Sequence, residues 1–306
     1  MRMVTIAFLT ALSVVLPILI WAQPARQPGL PAPGPVYRNL AYIPDGHERH
    51  KLDLYLPAEG ESFPLIVYVH GGAFKAGSKE MGVPLDLLSE GYAVASINYR
   101  LSRHAKFPAQ IEDCKAAVRW LRRHADKYGI DPNHFASLGY SAGGYLAVML
   151  GVTGDIKDFD VGENLDQSSA VQAVVDFFGP TDFLQMDAHR LPGGMVHDAE
   201  DSPASELFGG PIQQNKEKVS KGNPINYISP ADPPFLIFHG DADPIVPHHQ
   251  SVLLEEALKK AGVPVLFYTV KGAGHGDFKD PNVPQLTRSF LKKYLKSYSP
   301  TPDKLP

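Results

Sequence analysis

Cysteine is nearly missing from this chain. Cys114 is the only one in 306 residues, so no intrachain disulfide can form. That excludes the stapled frameworks of many small exported domains. No block of like charge runs through the sequence, and the formal net charge is only −4. A nucleic-acid partner and a charged disordered tail are therefore not expected. Twelve histidines are present, yet none falls into His-Glu-x-x-His or a comparable ligand spacing. With no glycine-rich phosphate loop either, no catalytic metal and no cofactor are expected. There is no internal repeat. The composition, 44% hydrophobic and 20% charged at this length, suits one large α/β domain whose core needs no staple.

Both ends of the first 36 residues read as something other than fold. In residues 1–22, Arg2 gives a positive start, Val4 to Ile20 is an apolar or small-residue run, and Ala22 precedes a cut before Gln23. This predicts a secretory signal peptide and a secreted or periplasmic protein. The run is nearly long enough to span a membrane. Pro17 and the prolines that follow favour cleavage over a retained anchor, so no stable membrane insertion is expected. No cysteine near the cut could carry a lipid, and a nearly thiol-free exported chain fits a bacterial-type secretion route. Residues 23–36 hold five prolines between Gln23 and Pro35 and predict an extended linker. The domain is expected over 37–300.

Along that domain, strand-like and helix-like runs alternate. Arg38 to Tyr42 and Lys51 to Tyr55 flank the turn signal Pro44-Asp45-Gly46. Pro64 to Val69 is a near-continuous apolar run, as in a strand covered on both faces. Leu85 to Glu90 reads as helix and Tyr92 to Tyr99 as strand. Ile111, Cys114, Val118, Leu121, Ala125 and Tyr128 step by three and four, one face of an amphipathic helix. Lys115, Arg119, Arg122 and Arg123 lie off that face and are expected to be solvated. Val171 to Phe178, Phe235 to Phe238 and Val263 to Val270 read as further strands, with a helix over Gln250 to Lys260 capped by Gly262 and another around Phe290. Residues 182–227 break the rhythm and read as a cap-like insertion. Within it His189 and His197 are expected as mobile surface side chains, and Met195, Phe183 and Phe208 as a small core of the insertion in preference to the lining of an acyl pocket. Strands alternating with helices predict a mostly parallel sheet with helices on both faces.

The densest signal lies in Phe135 to Gly144. The turn signal Asp131-Pro132-Asn133 is expected just before a short apolar run that leads into Gly139-Tyr140-Ser141-Ala142-Gly143, and a helix-like run follows. That is the setting of a nucleophile elbow. The turn would push the Ser141 hydroxyl out over the sheet and aim the Ala142 N–H at a substrate carbonyl. A serine needs a base, and His275 stands in a glycine-lined loop after the last strand. Asp241 and Asp243 both follow the strand before it, and either could orient the imidazole. The loop His70-Gly71-Gly72-Ala73, Ser141, these aspartates and His275 all come directly after predicted strands. Chemistry in a parallel sheet gathers at those carboxyl ends.

Serine, then acid, then histidine is the order of an α/β-hydrolase. The chain resembles that superfamily, and most nearly the bacterial feruloyl- and acetylxylan-esterase-like group and the hormone-sensitive-lipase-type carboxylesterases. The resemblance covers roughly Tyr37 to Tyr298. It rests on His70-Gly71-Gly72-Ala73-Phe74, Asn98-Tyr99-Arg100-Leu101, Phe107-Pro108, Gly139 to Gly144, Asp241-Ala242-Asp243-Pro244-Ile245-Val246-Pro247 and His275-Gly276. It implies the α/β-hydrolase fold, a triad of Ser141, Asp243 and His275, and an oxyanion hole from the N–H groups of Gly72, Ala73 and Ala142. Ala73 departs from the third glycine of the usual His-Gly-Gly-Gly, which narrows its backbone freedom. His70 is expected as a loop anchor. The implied activity is that of a secreted serine carboxylesterase acting on short-acyl or carbohydrate-linked esters, acetyl or feruloyl, through an acyl-enzyme on Ser141. A prolyl-peptidase-like amide hydrolase is a second reading, although the propeller that usually precedes such domains has no counterpart in the short Pro-rich stretch. A non-catalytic binding protein on the same fold is a third.

Overall fold

The computed structural model describes residues 34–296. The expected signal peptide, most of the expected linker and the last residues of the expected domain lie outside the described residues. Eight strands form one sheet: β1 (Val36–Ala41), β2 (Lys51–Tyr55), β3 (Phe63–Val69), β4 (Ala93–Ile97), β5 (Ile130–Tyr140), β6 (Ala173–Phe177), β7 (Phe235–Gly240) and β8 (Val265–Val270). Their spatial order is β1-β2-β4-β3-β5-β6-β7-β8. β2 runs antiparallel to both of its neighbours, and every pairing from β4 to β8 is parallel.

Alternation along the strands divides the interior in two. On β3, Leu65, Val67 and Val69 face one core, while Ile66 and Tyr68 face the other, as a period of two requires. The first core is covered by α1 (Ala109–Arg123), the short α2 (Ala125–Tyr128), α3 (Ala142–Val152) and the inner face of α6 (His249–Ala261), with α4 (Pro203–Phe208) beside it. The second is covered by a 3₁₀ turn over Leu85–Glu90 and by α7 (Asn282–Leu291). Each fully buried aliphatic side chain contributes roughly 1.5–3 kcal/mol relative to exposure. α6 ends where sequence signals said it should. Gly262 adopts φ 78° and its N–H bonds back to Leu258 and Lys259, the left-handed stop that glycine adopts most readily.

Three expectations need correcting. Lys115 and Arg119 are not solvated: both are fully buried. Lys115 Nζ donates to the carbonyls of Thr153 (2.7 Å) and Ile156 and pairs with Asp160 at 3.1 Å; Arg119 Nη1 pairs with Asp160 at 2.8 Å. The segment after α3 folds back over the outer flank of α1 and supplies an anion and a row of carbonyls. Arg122 is partly buried too, its guanidinium 4.4 Å from the Phe135 ring centroid, and Arg123 alone of the four stays exposed. Asp131-Pro132-Asn133 does not precede the elbow strand but lies within β5. Phe63 pairs with Ile130 and Leu65 with Phe135, so the turn bulges out of a continuing ladder. Within 182–227, short helices α4 and α5 (Lys216–Lys221) alternate with 3₁₀ turns. Phe183 and Phe208 do not form a separate small core. They join the first main core, Phe183 against Phe74 and Tyr145, and Phe208 against Phe107.

Candidate active site

β5 delivers Ser141. The turn from strand to α3 is tight enough that neither flanking glycine tolerates a side chain. A Cβ on Gly139 would stand 2.1 Å from Gly143 O, and one on Gly143 would stand 2.1 Å from Val69 O. Ser141 itself sits at φ 55°, ψ −119°, a region that costs on the order of 1–3 kcal/mol for a residue with a side chain. Its backbone is held by Ser141 N–H to Phe177 O at 2.8 Å and by Tyr145 N–H to Ser141 O at 3.0 Å. The loop after β3 presses against this turn: a Cβ on Gly71 would lie 3.6 Å from the Ser141 Cβ.

Ser141 Oγ is 2.8 Å from His275 Nε2, and His275 Nδ1 is 2.6 Å from Asp243 Oδ2. The strands β5, β7 and β8 thus bring these three side chains into one line across the carboxyl edge of the sheet. With Asp243 accepting at Nδ1, that nitrogen carries the ring proton and Nε2 can accept from the serine hydroxyl. The second oxygen of Asp243 accepts from the N–H groups of Ile245 (2.8 Å) and Val246 (3.0 Å). Burial alone would push the Asp243 carboxyl up, but hydrogen bonds from His239 and His275 outweigh it and hold the group well below the ordinary carboxylate range. Asp241 stays outside this line. It is exposed and accepts from Gly272 N–H at 2.6 Å, tying the loops after β7 and β8 together.

Gly72, Ala73 and Phe74 follow β3 with φ of 116°, 54° and 60°. Ala73 therefore holds the left-handed conformation despite its methyl group. The N–H groups of Gly72, Ala73 and Ala142 have no acceptor among the described residues. His70 anchors the loop from inside. Its Nδ1–H donates to Gly71 O at 2.6 Å, its Nε2 accepts from Arg49 at 3.1 Å, and its ring stacks on Tyr99 with centroids 4.5 Å apart. Burial, opposed by the Gly71 bond and aided by Arg49, lowers the imidazole to about 4.

Several participants went unread in the sequence. Arg49 ties the Tyr99 and Gly77 carbonyls as well as His70, yet in the sequence it is one charge in a hairpin loop. His239 is fully buried at the end of β7 and reaches Asp243; a polar residue ending an apolar strand was the available signal. His197 is not a mobile surface group: it is buried, contacts Asp187 and donates from Nε2 to Ile245 O at 2.9 Å. With Met195 N–H on Pro244 O at 2.8 Å, it fastens the 182–227 segment to the loop that carries Asp243. His189 is exposed and stacks on His249.

On the other side of His275, a mainly apolar pocket of about 230 Å³ is lined by Leu87, Leu138, Tyr140, Phe178 and Phe278. The Phe178 ring centroid is 4.6 Å from that of His275. For metals, His47, Glu48 and His104 bring three potential ligand atoms within 4.8 Å of one another. His47 Nδ1 already accepts from Arg49 N–H, while Leu101 N–H and Arg103 Nε face the two ring nitrogens of His104, only one of which can accept in a neutral imidazole. Among the described residues no helix is long and apolar enough to cross a membrane.

An eight-stranded, mostly parallel sheet with helices on both faces and its polar constellation at the carboxyl edge is the α/β-hydrolase fold. The chain belongs to the BD-FAE family, which it matches over residues 52–258. It is 30% identical over 217 residues to Esterase LipC of Mycobacterium tuberculosis (strain ATCC 25618 / H37Rv), covering 70% of this chain; the chain spans about half of that relative, 53% of its length. Among solved structures it is similar to a truncated carbohydrate esterase from gut microbiota (35% identity, TM-score 0.78, 86% of this chain and 97% of that one). It is also similar to an acetyl ester-xyloside bifunctional hydrolase from Caldicellulosiruptor lactoaceticus (25% identity, TM-score 0.65, 87% and 94%).

Proposed function

We propose that this chain is a serine carboxylic ester hydrolase. The observation that carries the reading is the hydrogen-bonded line Ser141–His275–Asp243, with bonds of 2.8 and 2.6 Å. Ser141 Oγ attacks the ester carbonyl while His275 Nε2 takes the hydroxyl proton, and Asp243 holds the imidazolium that results. The oxyanion is received by the N–H groups of Gly72, Ala73 and Ala142, which have no other acceptor among the described residues. One such donor is worth about 3 kcal/mol in the transition state. His275 then gives its proton to the leaving alcohol. Water, deprotonated by the same nitrogen, releases the acid and frees Ser141.

The substrate we assign is a short-acyl ester carried on a carbohydrate, acetyl or feruloyl. It is supported by two structural neighbours, one named a carbohydrate esterase and the other an acetyl ester-xyloside bifunctional hydrolase. The apolar stretch at residues 1–22 supports export, with the mature chain starting at Gln23.

The test is hydrolysis of p-nitrophenyl acetate, butyrate and octanoate, methyl ferulate, a matched p-nitroanilide and acetylated xylan, by the parent and by Ser141→Ala. Activity that falls with chain length, includes acetylated xylan and is lost in Ser141→Ala is expected. Retained hydrolysis in Ser141→Ala would overturn the mechanism, an octanoate preference the carbohydrate assignment, and faster anilide than ester cleavage the ester reading. Export is checked by the N-terminal mass of protein recovered outside the cytoplasm.

A further inference from the structure

Asp243 answers to two histidines, not one. His239 Nε2 lies 3.2 Å from Asp243 Oδ2, the same oxygen that His275 Nδ1 contacts at 2.6 Å. The same Nε2 lies 2.9 Å from Val246 O. Both of these partners can only accept, so Nε2 carries a proton shared between them. The far nitrogen, Nδ1, is 2.7 Å from Ser251 Oγ in α6. With the proton on Nε2, the Ser251 hydroxyl donates to Nδ1 and fixes the tautomer. His239, Asp243 and Ser251 are all buried, at 0%, 1% and 0% exposure, so water does not compete for these bonds.

The bonds close a loop. Val246 N–H and Ile245 N–H hold Asp243 Oδ1, and Val246 O is held by His239. The turn that carries the acid is thereby clamped to the last residues of β7, with both carboxylate oxygens saturated. Removing the His239 donor would leave Oδ2 restrained by His275 alone and orphan Val246 O inside the protein. A carboxylate pinned at Oδ1 but able to pivot about it no longer presents His275 Nε2 to Ser141 at one angle, and misplacement of about 1 Å at such a centre costs about 10²-fold in rate.

Resting on the triad reading above, we propose that His239 is a positioning residue for Asp243 and that Ser251 locks it in the donating tautomer. Substrate does not touch either residue, so the signature is a loss in kcat with KM held, acting only through Asp243. In His239→Phe, kcat for p-nitrophenyl acetate should fall about 10- to 100-fold with KM within about twofold. His239→Gln, which keeps an N–H at similar reach, should recover most of it. In an Asp243→Asn background, His239→Phe should change kcat less than about twofold, because residues acting as a unit are not additive. Parental kcat in His239→Phe, or an equal loss in the Asp243→Asn background, would overturn the proposal. If His239→Phe loses its near-ultraviolet circular dichroism, Ser251→Ala decides. It should lower kcat at unchanged KM, by less than the about 10²-fold that a misplacement of about 1 Å costs, and a parental kcat there would overturn the lock. Parental activity in Asp243→Asn alone would instead sink the triad reading, a separate outcome.

Discussion

Asp176 occupies the space that a side chain at Gly144 would need: a Cβ there would meet Asp176 Oδ1 at 2.3 Å. The carboxyl lies on β6 beneath the first turn of α3, fully buried. Oδ1 accepts from Gly179 N–H at 3.0 Å, and Oδ2 has no partner among the described residues. Burial, only partly opposed by the Gly179 bond, pushes the group up to about 7.

That shift has a sign. The unfolded chain releases this proton near pH ~4, and the folded protein keeps it until about 7. Stability from this group is present in acid and is lost as pH rises through that window. Asp176→Asn keeps the shape without the ionisation. Urea unfolding across the window should find its stability relative to the parent rising with pH by about 1.4 kcal/mol per unit, then levelling off. A pH-independent difference would mean that Asp176 is already ionised in the folded state.

His70 works in the opposite direction. Its folded imidazole titrates at about 4, against roughly 6.5 in an unfolded chain. Between those values only the unfolded state binds the proton, so stability rises with pH. Over most of this range the slopes of His70 and Asp176 cancel. His70→Gln should therefore lose stability relative to the parent by about 1.4 kcal/mol per unit as pH rises through the window. The same urea series reads it, and a flat difference would place the His70 proton elsewhere.

The elbow glycines divide sharply from the surface ones. A Cβ at Gly143 would meet Val69 O at 2.1 Å and His70 O at 2.7 Å, backbone atoms that cannot step aside. Gly143→Ala should lose more than about 100-fold in kcat, because the displaced segment is the root of the Gly72-Ala73 loop. Gly193, at φ 76°, has nothing within 4 Å of its would-be Cβ. Gly193→Ala should cost only about 1–2 kcal/mol of conformational strain with kcat within about twofold. Steady-state kinetics and thermal melts of the pair check both statements. A catalytically normal Gly143→Ala would contradict the packing described for the elbow.

The parts of this molecule that a sequence reveals are those whose physics is local. Glycines beside Ser141, the stop at Gly262 and the buried stripe through Cys114 each follow from neighbours within a few positions. So does the placement of His275 after the last strand. What could not be read depends on contacts across the chain. Lys115 and Arg119 look like a solvated face until the segment around Asp160 covers them. Arg49 is an unremarkable loop charge until the fold sets it beside His70, and His239 ends a strand until Asp243 returns to meet it. The turn at Asp131 was legible as a turn, but its place inside β5 follows from pairing with β3 on both sides of it.

The covered face of α1 gives the last test. Asp160 Oδ1 faces Lys115 Nζ at 3.1 Å and Arg119 Nη1 at 2.8 Å, both fully buried cations, whereas Lys157 Nζ, 3.2 Å from Oδ2, is 71% exposed. Removing the anion strands two buried charges, and breaking a buried pair in this way costs about 3–5 kcal/mol. Removing the exposed cation disturbs a pair that water already screens, for about 0–1 kcal/mol. Urea midpoints should therefore drop strongly in Asp160→Asn and hardly at all in Lys157→Ala. The Thr153, Ile156 and Val161 carbonyls also accept from Lys115 and Arg119. If those carbonyls alone satisfied the cations, the two variants would unfold together, and the assignment of Asp160 as the counter-ion that holds the segment onto α1 would fail.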